Sequence, residues 1–286
     1  MTPAKTARAN RGTGRAARDA AVASQYLTPD DATRYAESYE GHRPATRYYW
    51  SRLHVVDEAL RDAPHGRLLD VGCGPGMLIR RLLDLRPEDF RITGCDRSAA
   101  MIDVAAARTK GFGDVELRVA RVEDMPFPDR HFDVVVAMGV LEYADANAGL
   151  REIARVVRPG GLVVVTMLNP LSPYRLVEWF VYWPLVRVLG RIEGLFGPPR
   201  HAAAVSGIRA VPLARLRRTM RAAGLAPRDA VHYDVTPLVP PLDRPVRRWN
   251  QKWRDHPERT VSRGARRWLG TAYLVTARRE EAGPAH

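Results

Sequence analysis

The chain has 286 residues, of which 45% are hydrophobic, so it can bury a large core and has the composition of a globular protein. Its formal net charge of +13 would suit a nucleic-acid partner if that charge were evenly spread, but residues 26–196 together carry −2. The excess lies in residues 1–25, 197–228 and 236–268, which carry +4, +7 and +6. Only three of the 45 basic residues are lysine, a bias more typical of a GC-rich coding background than of a phosphate-binding surface.

The first 25 residues are rich in alanine and arginine and lack the apolar run of a secretory signal. We expect a disordered basic tail there, because the segment has too little apolar surface for a core; an organelle transit peptide is the alternative. From Tyr26 to Asp62 the sequence predicts helices that lead into the first strand. Cys73 and Cys95 are the only cysteines, too few for a disulfide framework, which favours a reducing compartment and a cytoplasmic protein.

Short apolar runs alternate with helical patterns from residue 67 onward. The runs are largely β-branched and have little polar alternation, as expected for parallel strands covered on both faces. The predicted strands are 67–71, 91–95, 115–119, 132–138 and 161–168, and the predicted helices between them are 76–85, 98–109 and 147–157. Pro159–Gly160–Gly161 is predicted to be a turn into the fifth strand. This alternation indicates an α/β protein with a parallel sheet and right-handed crossovers.

The later part of the chain has a less regular pattern. A helix is predicted over 212–225, and two further strands over 227–235 and 270–279. Two insertions interrupt these elements: an apolar, aromatic segment at about 170–211 and an Arg/Trp-rich segment at about 236–268. The prediction is therefore one domain over 26–286 with two insertions.

A glycine-rich loop, "LLDVGCGPG" at 68–76, follows the first strand and begins a helix. Gly72 and Gly74 allow a tight turn with close ligand approach, and Gly76 relaxes packing where the helix begins. The spacing is D-x-G-x-G-x-G rather than the G-x-G-x-x-G of dinucleotide-binding proteins. Asp70 would also repel a pyrophosphate. The loop therefore indicates a ligand that has a cationic group and no phosphate.

An acidic residue, Asp96, ends the second strand 20 residues after Gly76, in "GCDRS". A carboxylate at this position can accept hydrogen bonds from both hydroxyls of a ribose. The alternative is that Asp96 caps the helix that begins near Ser98.

These motifs resemble those of the class I S-adenosylmethionine-dependent methyltransferases, of the small-molecule type. The resemblance rests on "LLDVGCGPG", "GCDRS", "VEDMPFPDRHFDVVVAMGVLEY" and "RVVRPGGLVVVTML", in this order and at the family's spacing. It covers residues 65–168 strongly, and 26–64 and 212–278 more loosely. It implies a Rossmann-like fold with helices on both faces of a mostly parallel seven-stranded sheet, whose last strand is antiparallel.

The resemblance also implies the roles of individual residues toward S-adenosylmethionine as cofactor. Gly139, after the fourth strand, would run beside the methionine and methyl groups, and Tyr35 and Tyr39 lie on a helix that relatives fold over the cofactor. Arg121 departs from the family pattern, which often has Asp there, so Glu123 or Asp124 would replace that contact to adenine. The remaining implied contacts are Asp70, Gly72, Gly74 and Gly76 at the methionine end, Asp96 at the ribose, and Arg97, Met101, Val122 and Glu123 at the adenine.

The acceptor of the methyl group is less well defined by the sequence. Glu142, Tyr143 and His201 are the candidates for a general base, if the acceptor is a hydroxyl or an acidic carbon. No His-x-x-x-His or similar ligand spacing indicates a metal site. The Asn/Asp-Pro-Pro-aromatic tetrapeptide of nucleic-acid amino-methylating enzymes is missing after the fourth strand, where the chain has "AMGVLEY". A hydrophobic small molecule is therefore the predicted acceptor, with nucleic acid or a non-catalytic, cofactor-binding partner protein as alternatives.

The apolar segment at 173–197 has three interpretations. Its charges and the central Pro184 argue against a membrane span. Its position after the fifth strand favours a lid over the substrate, with an aromatic wall made of Trp179, Phe180, Tyr182 and Trp183. An interfacial helix in peripheral contact with a membrane and an ordinary packed helix pair are the other two interpretations. The sequence does not define the oligomeric state.

Overall fold

The computed structural model describes residues 28–40, 44–113, 115–193, 208–243 and 246–281. The predicted tail at residues 1–25 lies outside this part of the chain, and so does His201.

Seven strands in the described part of the chain form one sheet in the order β3-β2-β1-β4-β5-β7-β6. Strands β1 to β5 pair in parallel, whereas β7 runs antiparallel to both of its neighbours, β5 and β6. This arrangement confirms the predicted fold class. The strands are β1 Gly66–Val71, β2 Phe90–Asp96, β3 Glu116–Val119, β4 Phe132–Ala137, β5 Val157–Leu168, β6 Leu225–Val235 and β7 Gly270–Arg279.

Helices cover both faces of the sheet. They are α1 Pro29–Glu37, α2 Pro44–Leu60, α3 Met77–Leu85, α4 Ala99–Thr109, α5 Ala146–Val156, α6 Pro173–Val177, α7 Trp183–Glu193, α8 Leu213–Ala222 and α9 Arg247–Asp255. A π-helical turn, Glu178–Tyr182, joins α6 to α7, and two 3₁₀ turns, Pro257–Thr260 and Ala265–Leu269, follow α9. No helix among the described residues has the length and apolar character needed to cross a bilayer.

Two hydrophobic layers enclose the sheet because successive strand residues point to opposite faces. Leu68 of β1 packs with residues of α2 and α3 in one layer. Leu69, the next residue, packs with residues of α5 and α8 in the other. Both leucines are fully buried, as the absence of polar alternation predicts.

The turn predicted at Pro159–Gly160–Gly161 lies inside a strand instead of before it. β5 begins at Val157, which pairs with Phe132 of β4, and the pairing resumes only at Leu162 and Val134. The residues between form a bulge in which Gly160 has a φ of +73°. The prediction of the strand start was therefore wrong, because a bulge uses the same glycine-rich sequence as a turn.

Candidate active site

A cavity of about 390 Å³ opens at the carboxyl edge of the parallel strands. It lies where β1 and β4 are neighbours and the chain's crossovers change direction, which is the usual ligand site of open α/β sheets. Its walls come from the loops after β1 to β4, from α2, and from α6 with the π turn.

The glycine loop forms the floor of this cavity. Gly72 and Gly74 line it, whereas Gly76 lies behind the wall, at the residue before α3. A Cβ atom on Gly72 would lie 2.6 Å from the Cβ of Val140, so the loop tolerates only glycine there. A Cβ on Gly76 would lie 3.1 Å from the Cβ of Ala105, which indicates that Gly76 serves helix packing.

Asp96 lines the cavity and holds two loops together. Its Oδ2 accepts a hydrogen bond from the Gly74 amide at 3.0 Å, and its Oδ1 accepts one from the Ser98 amide at 2.9 Å. The helix cap of α4 is Ser98, whose hydroxyl accepts a hydrogen bond from the Met101 amide at 3.3 Å. Asp96 is therefore not the cap of α4, and its carboxylate, with about four acceptor sites, can still accept from a ligand.

Asp70 lies directly beneath the loop and is fully buried. Neither of its carboxylate oxygens has a hydrogen-bond partner among the described residues. Burial, and to a smaller extent the neighbouring charge of Asp96, raises the pKa of Asp70, whereas Arg52 lowers it; the net value is about 7. Asp70 does not line the cavity, so its predicted contact with the methionine end of a ligand stays a prediction.

The residues predicted to surround an adenine lie together at one end of the cavity. Arg97, Met101, Val122 and Glu123 all line it. The Glu123 carboxylate accepts a hydrogen bond from the Asp145 amide at 3.1 Å and thus has a defined position.

The loop after β4 forms the opposite side. Gly139 lines the cavity, and its amide donates a hydrogen bond to the Thr166 hydroxyl at 2.9 Å. Glu142 and Tyr143 also line it. Glu142 is 3% exposed, and its Oε1 has no hydrogen-bond partner among the described residues. Burial raises the pKa of Glu142 and outweighs the lowering by Arg52 and Arg175, so that the net value is about 7.

Arg52 of α2 is the main residue that the sequence analysis missed. Its guanidinium is buried and donates hydrogen bonds to the hydroxyls of Tyr35 at 3.2 Å and Tyr39 at 3.1 Å. It also lies over the rings of Tyr48 and Tyr49, each 5.3 Å from the ring centroid. No carboxylate among the described residues lies within ion-pair distance of it.

Tyr35, Tyr48 and Tyr49 line the cavity, whereas Tyr39 is buried and does not line it. The sequence contains one signal for this cluster, the density of aromatic and arginine residues in "RYYWSR" at 47–52. That signal alone does not distinguish a cation cage from an ordinary amphipathic helix.

The insertion after β5 contributes charged groups to the cavity and not the aromatic wall that we predicted. Arg175 and Glu178 line the cavity and form an ion pair whose Nη1 and Oε2 atoms are 2.6 Å apart. Trp179, Phe180, Tyr182 and Trp183 do not line it. The wall prediction was wrong because Phe180 faces solvent, and the half-buried Trp179, Tyr182 and Trp183 pack outside the cavity.

Comparison with known proteins identifies similar sequences. The model of a family described as a methyltransferase domain matches residues 69–165. A demethylmenaquinone methyltransferase from Thermus thermophilus is 33% identical over 62% of this chain and 81% of its own length. A ubiquinone/menaquinone biosynthesis C-methyltransferase from Geotalea daltonii is 33% identical over 51% of this chain. The chain matches only 63% of the length of that protein.

The fold also has counterparts among solved structures. A S-adenosylmethionine-dependent methyltransferase from Thermotoga maritima aligns with 87% of this chain and 95% of its own, with a TM-score of 0.56. The two sequences are 18% identical, so this likeness concerns the fold alone.

Proposed function

The chain belongs to the class I S-adenosylmethionine-dependent methyltransferases, and we propose that it transfers a methyl group to a hydrophobic small molecule. The acceptor class that we propose comprises isoprenoids, quinones, polyketides and lipid-like metabolites. One observation carries the proposal: the cavity combines a glycine loop and Asp96 at one end with the buried Glu142 at the other. We propose residues 26–286 as the domain that does this, with the insertions at about 170–211 and 236–268 as its cover.

The residues at the first end of the cavity fit the cofactor. We propose that Asp96 accepts hydrogen bonds from the ribose hydroxyls with its remaining lone pairs, while Arg97, Met101, Val122 and Glu123 surround the adenine. When bound, the cofactor supplies a methyl group on a positively charged sulfur. Asp70, buried and without a hydrogen-bond partner among the described residues, holds a proton up to about pH 7 in the free protein, and a nearby sulfonium would favour its charged, compensating form.

Arg52 is the residue that we propose for the cofactor's carboxylate. The methionine part of S-adenosylmethionine carries a carboxylate, and a buried guanidinium needs an anion to balance its charge. Arg47 has Asp234 as its partner, with Nε and Oδ1 2.6 Å apart, and Arg175 has Glu178. Arg52 contacts hydroxyls and rings but no carboxylate among the described residues, so the carboxylate of a ligand would balance its charge.

The acceptor end of the cavity supports proton removal. Glu142 is held near neutral pKa by burial, and its unpartnered Oε1 can take a proton from an acceptor hydroxyl or an acidic carbon. Tyr143 lines the same region and is the second candidate. The relatives from Geotalea and Thermus are named for quinone-type acceptors, which supports the proposed acceptor class.

Two measurements test this function. We expect calorimetric titration to detect S-adenosylmethionine binding to the wild-type chain, at least about 10-fold weakened in Asp96→Ala and in Arg52→Met. We expect labelled methyl groups to enter a short-chain demethylated quinol and not RNA. Transfer to RNA would identify the nucleic-acid alternative, and binding without transfer to any acceptor would identify a non-catalytic partner protein. Absence of cofactor binding to the wild type would refute the proposal.

The acceptor class also suggests where the protein works. Quinones and long isoprenoids dissolve in lipid bilayers, so we propose a cytoplasmic protein with peripheral membrane contact.

A further inference from the structure

The outer surface of the insertion after β5 is unusually apolar. In α7 the exposed residues Leu185, Val188, Leu189 and Ile192 occupy positions i, i+3, i+4 and i+7 and therefore share one helix face. Phe180 of the π turn, 74% exposed, belongs to the same insertion. We name this surface the outer apolar face; its members are Leu176, Phe180, Val181, Leu185, Val188, Leu189 and Ile192.

The outer apolar face is not covered by any described part of the protein. In α7 only Val186 is buried, and α7 itself packs against the π turn and little else among the described residues. Globular proteins rarely leave a continuous apolar stripe of this length in water without a use for it. The face is therefore a docking surface that needs an occupant.

Charged residues around this face indicate what the occupant is. Arg187 and Arg191 are exposed and lie beside the stripe on α7, one turn apart. The 3₁₀ turn Ala265–Leu269 contacts α6 and exposes Arg266, Arg267 and Trp268. Residues 246–269 contain eight basic and two acidic residues. An apolar stripe flanked by arginine and tryptophan is the composition of helices that lie in the headgroup region of a bilayer.

The position of the face relative to the cavity supports the same occupant. α6 and the π turn contribute Arg175 and Glu178 to the cavity wall, and Phe180 and Val181 to the outer apolar face. The Tyr174 hydroxyl donates a hydrogen bond to Asp243 Oδ2 at 2.7 Å, which ties this insertion to the Arg/Trp-rich one. A bilayer in contact with the outer apolar face would therefore lie next to the cavity wall.

We infer that the outer apolar face docks on the surface of an anionic phospholipid bilayer. The apolar residues would enter the headgroup region, and the arginines would contact lipid phosphates. Docking would let the acceptor pass directly from the bilayer to the cavity, and this consequence rests on the proposed function. The docking itself rests only on the exposed surface.

Vesicle flotation tests this inference with the full-length chain. We expect wild-type protein to float with vesicles of phosphatidylcholine containing 30% phosphatidylglycerol, and much less with pure phosphatidylcholine or in about 0.5 M salt. We expect the Leu185→Glu/Leu189→Glu variant to bind at least about 10-fold more weakly, because its charges oppose insertion. The matched control is Leu85→Glu on α3, whose leucine is 55% exposed against 56% for Leu185. This control should bind as the wild type does.

A separate variant, Arg266→Glu/Arg267→Glu, tests the contribution of the arginines to vesicle binding. It leaves the outer apolar face intact and should lose binding to the anionic vesicles. Wild-type protein that stays unbound in the anionic vesicle experiment would overturn the inference. A wild-type dimer in light scattering that Leu185→Glu/Leu189→Glu converts to monomer, without vesicle binding, would overturn it in favour of a second copy. Flotation without S-adenosylmethionine binding would support docking and refute the proposed function.

Discussion

Gly139→Ala tests whether the position of Arg52 among its four tyrosines depends on the loop that lines the cavity at Gly139. Gly139 has a φ of +72°, where an alanine costs roughly 1–2 kcal/mol in backbone strain. Its Cβ would also overlap Nη1 of Arg52, so the guanidinium would have to leave its place. Arg52 would then lose its tyrosine hydrogen bonds at about 1 kcal/mol each, and ring contacts at about 0.5–1 kcal/mol each.

The expected destabilisation is therefore about 3–5 kcal/mol, since the guanidinium keeps part of these contacts after it moves. Gly160→Ala is the matched control, because Gly160 has a φ of +73° and nothing within 4 Å of the Cβ position. It should cost only the strain, roughly 1–2 kcal/mol. Urea denaturation followed by circular dichroism measures both free energies of unfolding.

Calorimetric titration with S-adenosylmethionine adds a second readout. We expect cofactor affinity to fall at least about 10-fold in Gly139→Ala and to stay unchanged in Gly160→Ala. Equal unfolding free energies for the two variants, together with equal cofactor affinities, would refute the reasoning that Arg52 fills the space beside Gly139.

Three further predictions concern buried charges. Because the pKa of Asp70 is raised to about 7, the folded state holds a proton that the unfolded state releases near pH 4. The free energy of unfolding should thus fall as the pH rises through this window, by up to about 4 kcal/mol, and Asp70→Asn should reduce that fall in urea melts at pH 5 and 8. Arg47→Met leaves Asp234 buried without its cation and should cost about 3–5 kcal/mol, whereas Arg118→Met, which breaks an exposed pair, should cost less than about 1 kcal/mol. Glu142→Gln should lower methyl transfer about 100-fold and remove the acidic limb of its pH profile, with cofactor affinity unchanged.

Each of these has a clear negative result. An unchanged pH dependence in Asp70→Asn would mean that this carboxyl does not carry the stored proton. Similar unfolding costs for the two arginine variants would contradict the burial of the Arg47 pair. Full activity of Glu142→Gln would show that another group removes the proton from the acceptor, with Tyr143 as the next candidate.

The parts of the site that were predictable are those built from consecutive residues. The glycine loop and Asp96 lie at the ends of neighbouring parallel strands, and such ends meet at one edge of the sheet by geometry alone. The strands themselves follow from β-branched runs without polar alternation. Local patterns of this kind need no knowledge of distant contacts.

The parts that were missed depend on residues far apart in the chain. Arg47 pairs with Asp234 across 187 positions, and neither residue has a local signal that predicts the pair. Arg52 reaches the cavity only because α2 packs over the loop after β4 and brings its guanidinium against Gly139. The aromatic segment was predictable as an insertion, but its orientation was not, because which of its side chains face the cavity depends on how the segment packs against the rest of the fold.

The amino-acid sequence alone was thus sufficient for the fold class, the order of the motifs along the parallel strands and the position of the glycine loop at the cavity, because periodicity and glycine spacing act over a few residues. Tertiary packing decided which charges are buried and unpaired and which apolar residues face water. Those properties depend on which group lies opposite a side chain. For Arg52 these groups come from distant parts of the chain, and for the outer apolar face we infer that they come from outside the protein.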